Sequence, residues 1–330
     1  MPATVVVSQS LFPESIALMR ESGLDVVVRD SDEPVGGEGL AAMVADADAL
    51  LCQLTDAVDE SVLAAGPRLR VVATCSAGFD HIDVAAASRH GVAVTNTPGV
   101  LHEDTADLTF ALILASARRV VEGDAFVRAG RFKRWTLHQE QLGLPVHGAR
   151  LGIVGMGQIG RAVARRAAHG FGMEVCYHSR TRLPADIERE LGVRHLSFEE
   201  LLGESDVVSL HAPLTPATHH LVDDAALQRM KPTAILVNTS RGPLVDEAAL
   251  ARALGSGQIA GAGLDVYEDE PRVHPDLLAL TERVVLLPHL GSATEKTRRQ
   301  MAEIAATNVV AALTGDVPPN VVNAEAVDVG

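Results

Sequence analysis

The sequence has few cysteines, few basic residues and no long uninterrupted apolar run. Its three cysteines, Cys52, Cys75 and Cys176, lie in apolar segments and show neither a disulfide framework nor a zinc-site spacing. We therefore expect buried thiols in a reducing compartment. The chain carries only 28 Lys and Arg against 43 Asp and Glu, a formal net charge of −15. Because a nucleic-acid-binding protein needs a basic face to contact phosphates, this balance argues against that class.

Membrane and export signals are also absent. No apolar stretch approaches the length of a membrane span, and the N-terminus runs directly into a strand-like segment without a basic region or cleavage site. No constellation of metal-ligating residues is evident. We therefore expect a cytoplasmic protein without a membrane partner or a metal. A chain of 330 residues can bury a large core and is long enough for two domains.

Short β-branched runs alternate with amphipathic segments along the chain. In the first part the runs are too uniformly apolar for half-exposed strands, and they predict parallel strands covered by helices on both faces. We expect helices between these strands, with Asp59 and Asp83 as N-caps. Residues 1–99 thus predict one doubly wound unit. Its strands are expected at 5–7, 25–28, 49–52, 70–73 and 92–94, and its helices at 13–22, 38–46, 59–65 and 83–90.

A second series of the same kind starts at residue 151, and its helical crossovers imply a second parallel sheet. Residues 105–130 predict one long helix, apolar on more than one face, which favours burial against a second subunit or inside its own domain. A final helix is expected at about 294–314. The predicted fold class is α/β, with two doubly wound parallel sheets. Strands of the second sheet are expected at 151–154, 174–177, 206–210, 234–237, 263–265 and 284–287.

A glycine motif follows the first strand of the second series and opens a helix. Gly155 would allow the tight turn, Gly157 would let a pyrophosphate approach the backbone, and Gly160 would let helix and strand pack closely. The anion would rest on the free amides of the helix N-terminus, which Gln158 and Ile159 begin. The context therefore predicts a dinucleotide site, and a merely tight strand-to-helix turn is the less favoured reading.

The end of the next strand bears on which dinucleotide binds. An NAD-preferring site places Asp or Glu there to hold the ribose hydroxyls, whereas Glu174 lies at the beginning of this strand. Ser179, Arg180 and Arg182 instead suit a 2′-phosphate, because Arg offers a bidentate fork to phosphate oxygens. The sequence favours NADP(H), with NAD(H) as the alternative if both guanidiniums are solvated loop charges.

Three polar groups follow later strands of the second series. Arg241 comes after the strand at 234–237, Glu270 lies in an acidic loop after the next strand, and His289 follows the last one. Taken singly, each has an ordinary structural explanation. Because the carboxyl ends of parallel strands meet at one edge, we expect the three to lie near the glycine motif. A cation for an anionic substrate and a His–Glu pair for a proton are suited to reducing a 2-keto acid.

At these residues the chain resembles the D-isomer-specific 2-hydroxyacid dehydrogenases, and among them the glyoxylate/hydroxypyruvate reductase group. The likeness covers nearly the whole length and keeps several motifs in order. They are the glycine motif, the segments at 76–83, 96–100 and 211–215, and the three strings at 238–242, 265–271 and 288–292.

The resemblance implies a flavodoxin-like substrate domain (1–100 plus about 294–330) and a Rossmann coenzyme domain (101–293), with the active site in the cleft between them. It also implies a homodimer built on a dimerisation helix at about 105–130. Arg241 would bind the substrate carboxylate and polarise its keto oxygen, His289 would be the general acid and base, and Glu270 its partner. The amides of Ala77 and Gly78 would complete the carboxylate pocket. Asp265 would hold the nicotinamide carboxamide, and further coenzyme contacts would come from His211, Pro213, Thr218, Thr239, Ser240 and Gly291.

Other functions share parts of this pattern. A short-form D-3-phosphoglycerate dehydrogenase would need a basic cluster for a second phosphate, and none is evident in residues 1–100. Formate chemistry needs no proton donor and typically pairs its His with Gln, so Glu270 argues against it. A non-enzymatic redox-sensing module would not need Arg241, Glu270 and His289 together. The substrate's tail stays open among glyoxylate, hydroxypyruvate, 2-ketogluconate and bulkier keto acids. Gln53, which could face the substrate, and Trp135 leave the pocket shape open too.

Overall fold

A computed structural model describes residues 2–31, 33 and 35–325. Its chain separates into two compact units. One contains the described residues of Met1–Leu101 and Thr294–Gly330, and the other is His102–Ala293. Each unit is built around its own parallel sheet. The prediction of two doubly wound parallel sheets is therefore confirmed.

The first unit holds a five-stranded sheet in the order β2-β1-β3-β4-β5, the flavodoxin-like order. Alternate residues of each strand enter the cores on opposite faces, as with Val5 and Val6 of the first strand. Asp59 and Asp83 cap their helices as predicted. The elements are β1 (Thr4–Val7), α1 (Pro13–Glu21), β2 (Asp25–Val28), α2 (Gly37–Val44), β3 (Ala49–Cys52), α3 (Glu60–Ala65), β4 (Val71–Thr74), α4 (Val84–Arg89) and β5 (Ala93–Thr95).

Strand β2 differs from the prediction that every strand is covered on both faces. It lies at the edge of the sheet and pairs only with β1 among the described strands. Val26 is buried, whereas Asp25 is exposed and Val27 is 51% exposed. One face of this strand therefore meets solvent despite its uniformly apolar sequence.

The second unit holds a seven-stranded parallel sheet in the order β12-β11-β10-β9-β6-β7-β8. Its core strands follow the Rossmann order, with the reversal between β6 and β9. Sequence reasoning missed β8, a three-residue edge strand. The elements are α5 (His102–Ala117), α6 (Val120–Arg128), β6 (Arg150–Val154), α7 (Gln158–Arg165), β7 (Glu174–His178), α8 (Ala185–Leu191), β8 (Val193–His195), α9 (Phe198–Glu204), β9 (Val207–Leu210), α10 (Asp224–Arg229), β10 (Ile235–Asn238), α11 (Glu247–Ser256), β11 (Gly261–Leu264), α12 (Pro275–Ala279) and β12 (Val284–Leu286).

The single helix predicted at 105–130 is two helices. Helix α5 ends at Ala117 and α6 begins at Val120, because Arg119 adopts a left-handed backbone with φ of 54°. Its guanidinium is held by Glu122, a contact that pattern reasoning could not anticipate. Helix α5 is buried along Thr105, Ala106, Thr109, Phe110, Leu112, Ile113 and Ala117.

The C-terminal helix α13 (Glu295–Thr314) matches the predicted final helix closely and packs in the first unit. Ala305, Ala306 and Val309 share a core with Val5 and Val7 of β1. The chain thus returns to the first sheet after completing the second.

The cysteines and the membrane prediction can be checked within this fold. All three cysteines are free thiols; Cys52 and Cys176 are buried, and burial raises the pKa of Cys75 to about 12. Within the described residues, no helix has the length and apolarity needed to cross a membrane. The same residues contain no group of His, Cys, Asp and Glu side chains able to hold a metal ion.

Candidate active site

The glycine motif forms the turn between β6 and α7, and two of its glycines are required by close backbone contacts. Gly155 has a φ of 96°, and a Cβ there would lie 2.5 Å from the carbonyl oxygen of His211. A Cβ on Gly160 would lie 2.2 Å from the carbonyl oxygen of Gly155. Any larger residue at either position would push the turn apart.

Gly157 differs from these two because the space beside it is open. No described atom lies within 4 Å of the Cβ position at Gly157, which is the N-cap of α7 and offers no side-chain cap. The first amides of α7, which begins at Gln158 and Ile159, are therefore presented to an anion. These residues fit the pyrophosphate of a dinucleotide: two glycines shape the loop, and the third leaves room for the ligand.

The end of β7, next to the glycine turn, carries the polar loop predicted to hold a 2′-phosphate. Glu174 lies at the opposite end of the strand, where it pairs with Arg150 at 2.7 Å. It does not reach the glycine edge, as predicted. Arg180 is exposed, and no hydrogen bond or ion pair joins it to the described part of the chain. The hydroxyl of Ser179 donates to the carbonyl of Thr181 at 2.6 Å.

Arg182, the second guanidinium predicted to contact a phosphate, forms an ion pair with Glu188 of the following helix. Its Nε and Nη2 donate to the two carboxylate oxygens of Glu188 at 2.8 and 2.9 Å. The buried Tyr177 hydroxyl donates to the same carboxylate at 2.7 Å and accepts from the amide of Leu183. Arg182 lowers the pKa of Glu188 to about 2, with Tyr177 adding to the effect. Arg182 thus stabilises the loop while its side chain stays 65% exposed, and its contact with a 2′-phosphate remains a prediction.

The segment after β9 places His211 beside the glycine turn, and the other predicted contacts, Pro213 and Thr218, follow it in the same segment. His211 Nε2 lies 2.8 Å from Ser209 Oγ, and its buried Nδ1 has no partner among the described residues. Burial lowers the pKa of His211 to about 3, so the ring is neutral. The Thr218 hydroxyl donates to the Pro213 carbonyl at 2.7 Å, which shows that it shapes this turn.

Arg241 follows β10 in a turn organised by Asn238, whose role sequence reasoning missed. The Asn238 amide donates to the Arg241 carbonyl at 2.8 Å, and its oxygen accepts from the Ser240 amide at 3.0 Å. The Ser240 hydroxyl donates to the Ala212 carbonyl at 2.6 Å, and so ties the turn to the segment after β9. The signal was an amide residue at a strand end, two residues before a serine.

The Arg241 turn also packs directly on the loop that carries Glu270. A Cβ on Gly242 would lie 1.8 Å from the carbonyl group of Tyr267, so only glycine allows this approach. Thr239 Oγ1 lies 2.9 Å from Thr109 Oγ1, which anchors the strand end on α5.

His289 and Glu270 form the predicted pair. His289 Nδ1 donates to Glu270 Oε2 at 2.8 Å, and Glu270 Oε1 accepts from the Tyr267 amide at 3.0 Å. The two side chains are 27% and 22% exposed, so a substrate has access to them. His289 has a φ of 54°, a strained conformation of the kind that is often found at functional sites.

Asp265 holds the turn that carries His289, a role the sequence did not suggest. This fully buried carboxylate accepts from the amides of Leu290 at 2.7 Å and Gly291 at 2.8 Å. The Gly291 carbonyl in turn accepts from Thr105 Oγ1 at 3.0 Å. Burial raises the pKa of Asp265 despite these bonds. The structure therefore places Asp265 beneath the turn, and the contact with the nicotinamide that the resemblance implies remains a prediction.

In the first unit, Ala77 and Gly78 lie in the loop that follows β4. Asn96 Nδ2 donates to the Ala77 carbonyl at 2.7 Å, and the Ser76 hydroxyl donates to the Gly78 carbonyl at 2.6 Å. Both carbonyls are thus held within the loop, and the conformation of the following backbone is fixed.

Three comparisons with known proteins bear on this site. Residues 110–291 match the model of the D-isomer specific 2-hydroxyacid dehydrogenase NAD binding domain. The chain is 52% identical over 298 residues to a glyoxylate reductase of Korarchaeum cryptofilum, covering 90% of this chain and 89% of that protein. It resembles the crystal structure of a Thermus thermophilus protein with a TM-score of 0.89 and 47% identity, over 97% of this chain and 99% of the other. It also resembles the structure of an NADPH-dependent glyoxylate/hydroxypyruvate reductase from Sinorhizobium meliloti in complex with NADP and malonate. The TM-score is 0.86 and the identity 31%, over 98% of this chain and 97% of the other.

Proposed function

Because the chain belongs to the D-isomer specific 2-hydroxyacid dehydrogenase family, we propose that it reduces small 2-keto acids, glyoxylate and hydroxypyruvate foremost, with NADPH. As a member of that family it is an NAD(P)-dependent oxidoreductase. The observation that carries the proposal is the His289–Glu270 pair at 2.8 Å, on a loop that packs against the Arg241 turn. Relatives named glyoxylate reductase support the substrate class.

The proposed chemistry divides the work among three side chains. A bound nicotinamide coenzyme supplies the hydride that reaches the keto carbon. Arg241 binds the substrate carboxylate and stabilises the negative charge that develops on the keto oxygen. His289 then donates a proton to that oxygen. Glu270 accepts from Nδ1, which fixes the ring, stabilises the imidazolium and leaves the donation to Nε2.

The glycine turn and the 179–182 loop are the proposed coenzyme site. Gly155, Gly157 and Gly160 with the amides of α7 would hold the pyrophosphate. Arg180 and Ser179 would bind the 2′-phosphate, which favours NADP(H), with NAD(H) as the alternative. His211, Pro213, Thr218, Thr239, Ser240, Asp265 and Gly291 would border the coenzyme, mainly as the framework of its walls.

In the first unit, the proposal assigns the amides of Ala77 and Gly78 to the substrate carboxylate. We also propose a cytoplasmic homodimer. The segment from α6 to about residue 142 exposes an unusual set of large apolar side chains, which a partner subunit would cover. They are Val120, Val121, Val127, Phe132, Trp135, Leu137 and Leu142. A monomeric mass in solution would contradict the dimer.

Steady-state kinetics on a panel of 2-keto acids with NADPH and NADH tests the function. We expect glyoxylate and hydroxypyruvate to be reduced with the highest kcat/KM, and NADPH to be preferred by about tenfold or more. Arg180→Ala should remove most of that preference, and Arg189→Ala, an exposed arginine on α8, should keep it. An enzyme that reduces none of these acids with either coenzyme would overturn the proposal.

A further inference from the structure

A second imidazole–carboxylate pair lies two residues before Glu270. His220 Nε2 and Glu268 Oε1 are hydrogen-bonded, and the side chains are 36% and 29% exposed. Neither residue belongs to the set assigned above to substrate or coenzyme. Of the three non-glycine residues with positive φ in the described chain, two are His220 and His289, the imidazoles of the two pairs.

Glu268 is also bound to the buried Glu247 at the start of α11, through two reciprocal bonds. Its Oε2 accepts from the Glu247 amide at 3.1 Å, while its own amide donates to Glu247 Oε1 at 2.8 Å. The other oxygen of Glu247 accepts from the amide of His274 at 3.2 Å. A carboxylate at the first turn of a helix is also favoured by the helix dipole. Glu247 thereby fastens both ends of the loop 268–274, and Glu270 lies between these two points.

His220 joins this loop to the Arg241 turn. Its backbone amide donates to the carbonyl of Pro243 at 2.8 Å, and two residues later the Val222 amide donates to Leu244 at 2.9 Å. Its side chain points to the other segment and is hydrogen-bonded through Nε2 to Glu268. One residue, held in a left-handed conformation that is rare outside glycine, therefore contacts the turn after Arg241 and the loop before Glu270.

We propose that His220, Glu268 and Glu247 form a positioning clamp that holds Glu270 in hydrogen-bonding contact with His289 and in register with Arg241. None of the three residues touches the reacting atoms. They act through the loop that carries Glu270 and the turn that carries Arg241. The proposal rests on the proposed function, because Glu270 and Arg241 take their roles from it.

The test is a double-mutant cycle between the clamp and Glu270, with NADPH and glyoxylate. Glu268→Ala should lower kcat about tenfold to a hundredfold, because small displacements of catalytic groups are costly, with the coenzyme Kd changed less than about twofold. Glu268→Gln should recover most of the loss. Its side-chain oxygen still accepts from the backbone amide of Glu247, and its NH₂ can donate to the neutral imidazole of His220. In a Glu270→Gln background, Glu268→Ala should cost at least about threefold less than in the wild type, because the carboxylate it positions is already absent and only the register of the Arg241 turn is left to lose.

His219→Ala is the matched control. His219 stacks on His220 with ring centroids 4.1 Å apart but makes no bond to Glu268, so its kcat should stay within about twofold of the wild type. If Glu268→Ala does not fold, His220→Ala takes its place in the cycle, since it leaves the Glu247–Glu268 bonds intact. Hydrogen exchange of the segment 267–274 should accelerate in either clamp variant, without any substrate.

The outcomes separate the two proposals. A wild-type enzyme without 2-keto acid reductase activity overturns the proposed function, and hydrogen exchange then judges the clamp alone. An active wild type with full activity in Glu268→Ala overturns the clamp. Losses that multiply in the double variant also overturn it, because they indicate general destabilisation acting independently of Glu270.

Discussion

The carboxyl edges of the two parallel sheets are built by the same rules but carry different chemistry. At the five-stranded edge, the buried Asp56 accepts from Ser8 Oγ, directly after β1, and from the Gln53 amide at 2.8 Å, directly after β3. At the seven-stranded edge, the glycine turn presents backbone amides, and Glu270 and His289 remain partly exposed. The buried carboxylate of Asp56 thus stabilises the loops of its own edge, whereas Glu270 and His289 at the other edge remain partly exposed.

This difference shows that the parallel-sheet fold determines where the carboxyl edge lies, but not whether the polar residues at that edge are structural or catalytic. At the seven-stranded edge, the reactive groups stay accessible because other residues, which lie beneath them, stabilise the turns that carry them. Asn238 holds the Arg241 turn, and Asp265 holds the His289 turn. At the five-stranded edge, the buried carboxylate of Asp56 is itself the group that stabilises the loops, and no catalytic role is proposed for it. We expect mutations at the two edges to separate activity from stability accordingly.

The largest effect is expected from His289→Gln, which removes the proposed general acid from the seven-stranded edge. We expect kcat to fall by about two to four orders of magnitude, the usual contribution of a general acid, while coenzyme binding is retained. Glyoxylate reduction and coenzyme titration measure the two properties. His169→Gln, at an exposed histidine of the same unit, is the control. A near wild-type rate in His289→Gln would remove His289 from the mechanism.

Arg241→Lys should reduce kcat/KM by about a hundredfold, because an ammonium cannot reproduce the bidentate fork. The measurement is the substrate dependence of glyoxylate reduction. Arg252→Lys alters an exposed ion pair with Asp224 and should have almost no effect. If Arg241→Lys keeps its affinity for 2-keto acids, the carboxylate role of Arg241 is wrong.

The two glycines of the turn should respond differently to alanine. In Gly155→Ala the new Cβ meets the His211 carbonyl at 2.5 Å, so we expect a lower thermal midpoint together with weaker coenzyme binding. Gly157→Ala meets no described atom within 4 Å, so the fold should keep its midpoint while the coenzyme Kd rises about tenfold. Thermal unfolding and coenzyme titration distinguish the two. A normal Kd in Gly157→Ala would mean that the pyrophosphate does not approach this backbone.

Asp56→Asn tests the five-stranded edge and should have the smallest catalytic effect. The new NH₂ group faces donors, so we expect a loss of about 1–3 kcal/mol in the free energy of unfolding. The folded variant should keep its kcat within about twofold, measured beside Asp46→Asn at an exposed site. A catalytic loss as large as that of Arg241→Lys would show that the two edges are not divided as described.

Most strands could be predicted because short, uniformly apolar runs that alternate with amphipathic segments are typical of buried parallel strands. Strand β8 was missed because three residues with an exposed Arg194 carry little pattern. The break between α5 and α6 depends on the left-handed backbone of Arg119, and no glycine or asparagine at that position predicts such a conformation.

At the site, Arg241, Glu270 and His289 could be predicted because each is a charged or titratable residue that follows an apolar strand-like run. The bonds of Asp265 reach backbone amides 25 and 26 residues away that only the fold brings together, whereas the bonds of Asn238 are local to residues 238–241. The ion pair of Arg182 with Glu188 could not be predicted, because sequence alone does not pair a loop residue with a particular residue of the following helix.

The proposed function requires that a hydride pass from the nicotinamide to the keto carbon of a 2-keto acid. Mass spectrometry of the product formed from glyoxylate and NADPH deuterated at both positions of nicotinamide C4 follows this transfer. We expect glycolate with one deuterium on carbon 2. Glycolate without deuterium, or oxidation of the coenzyme without glycolate, would contradict it.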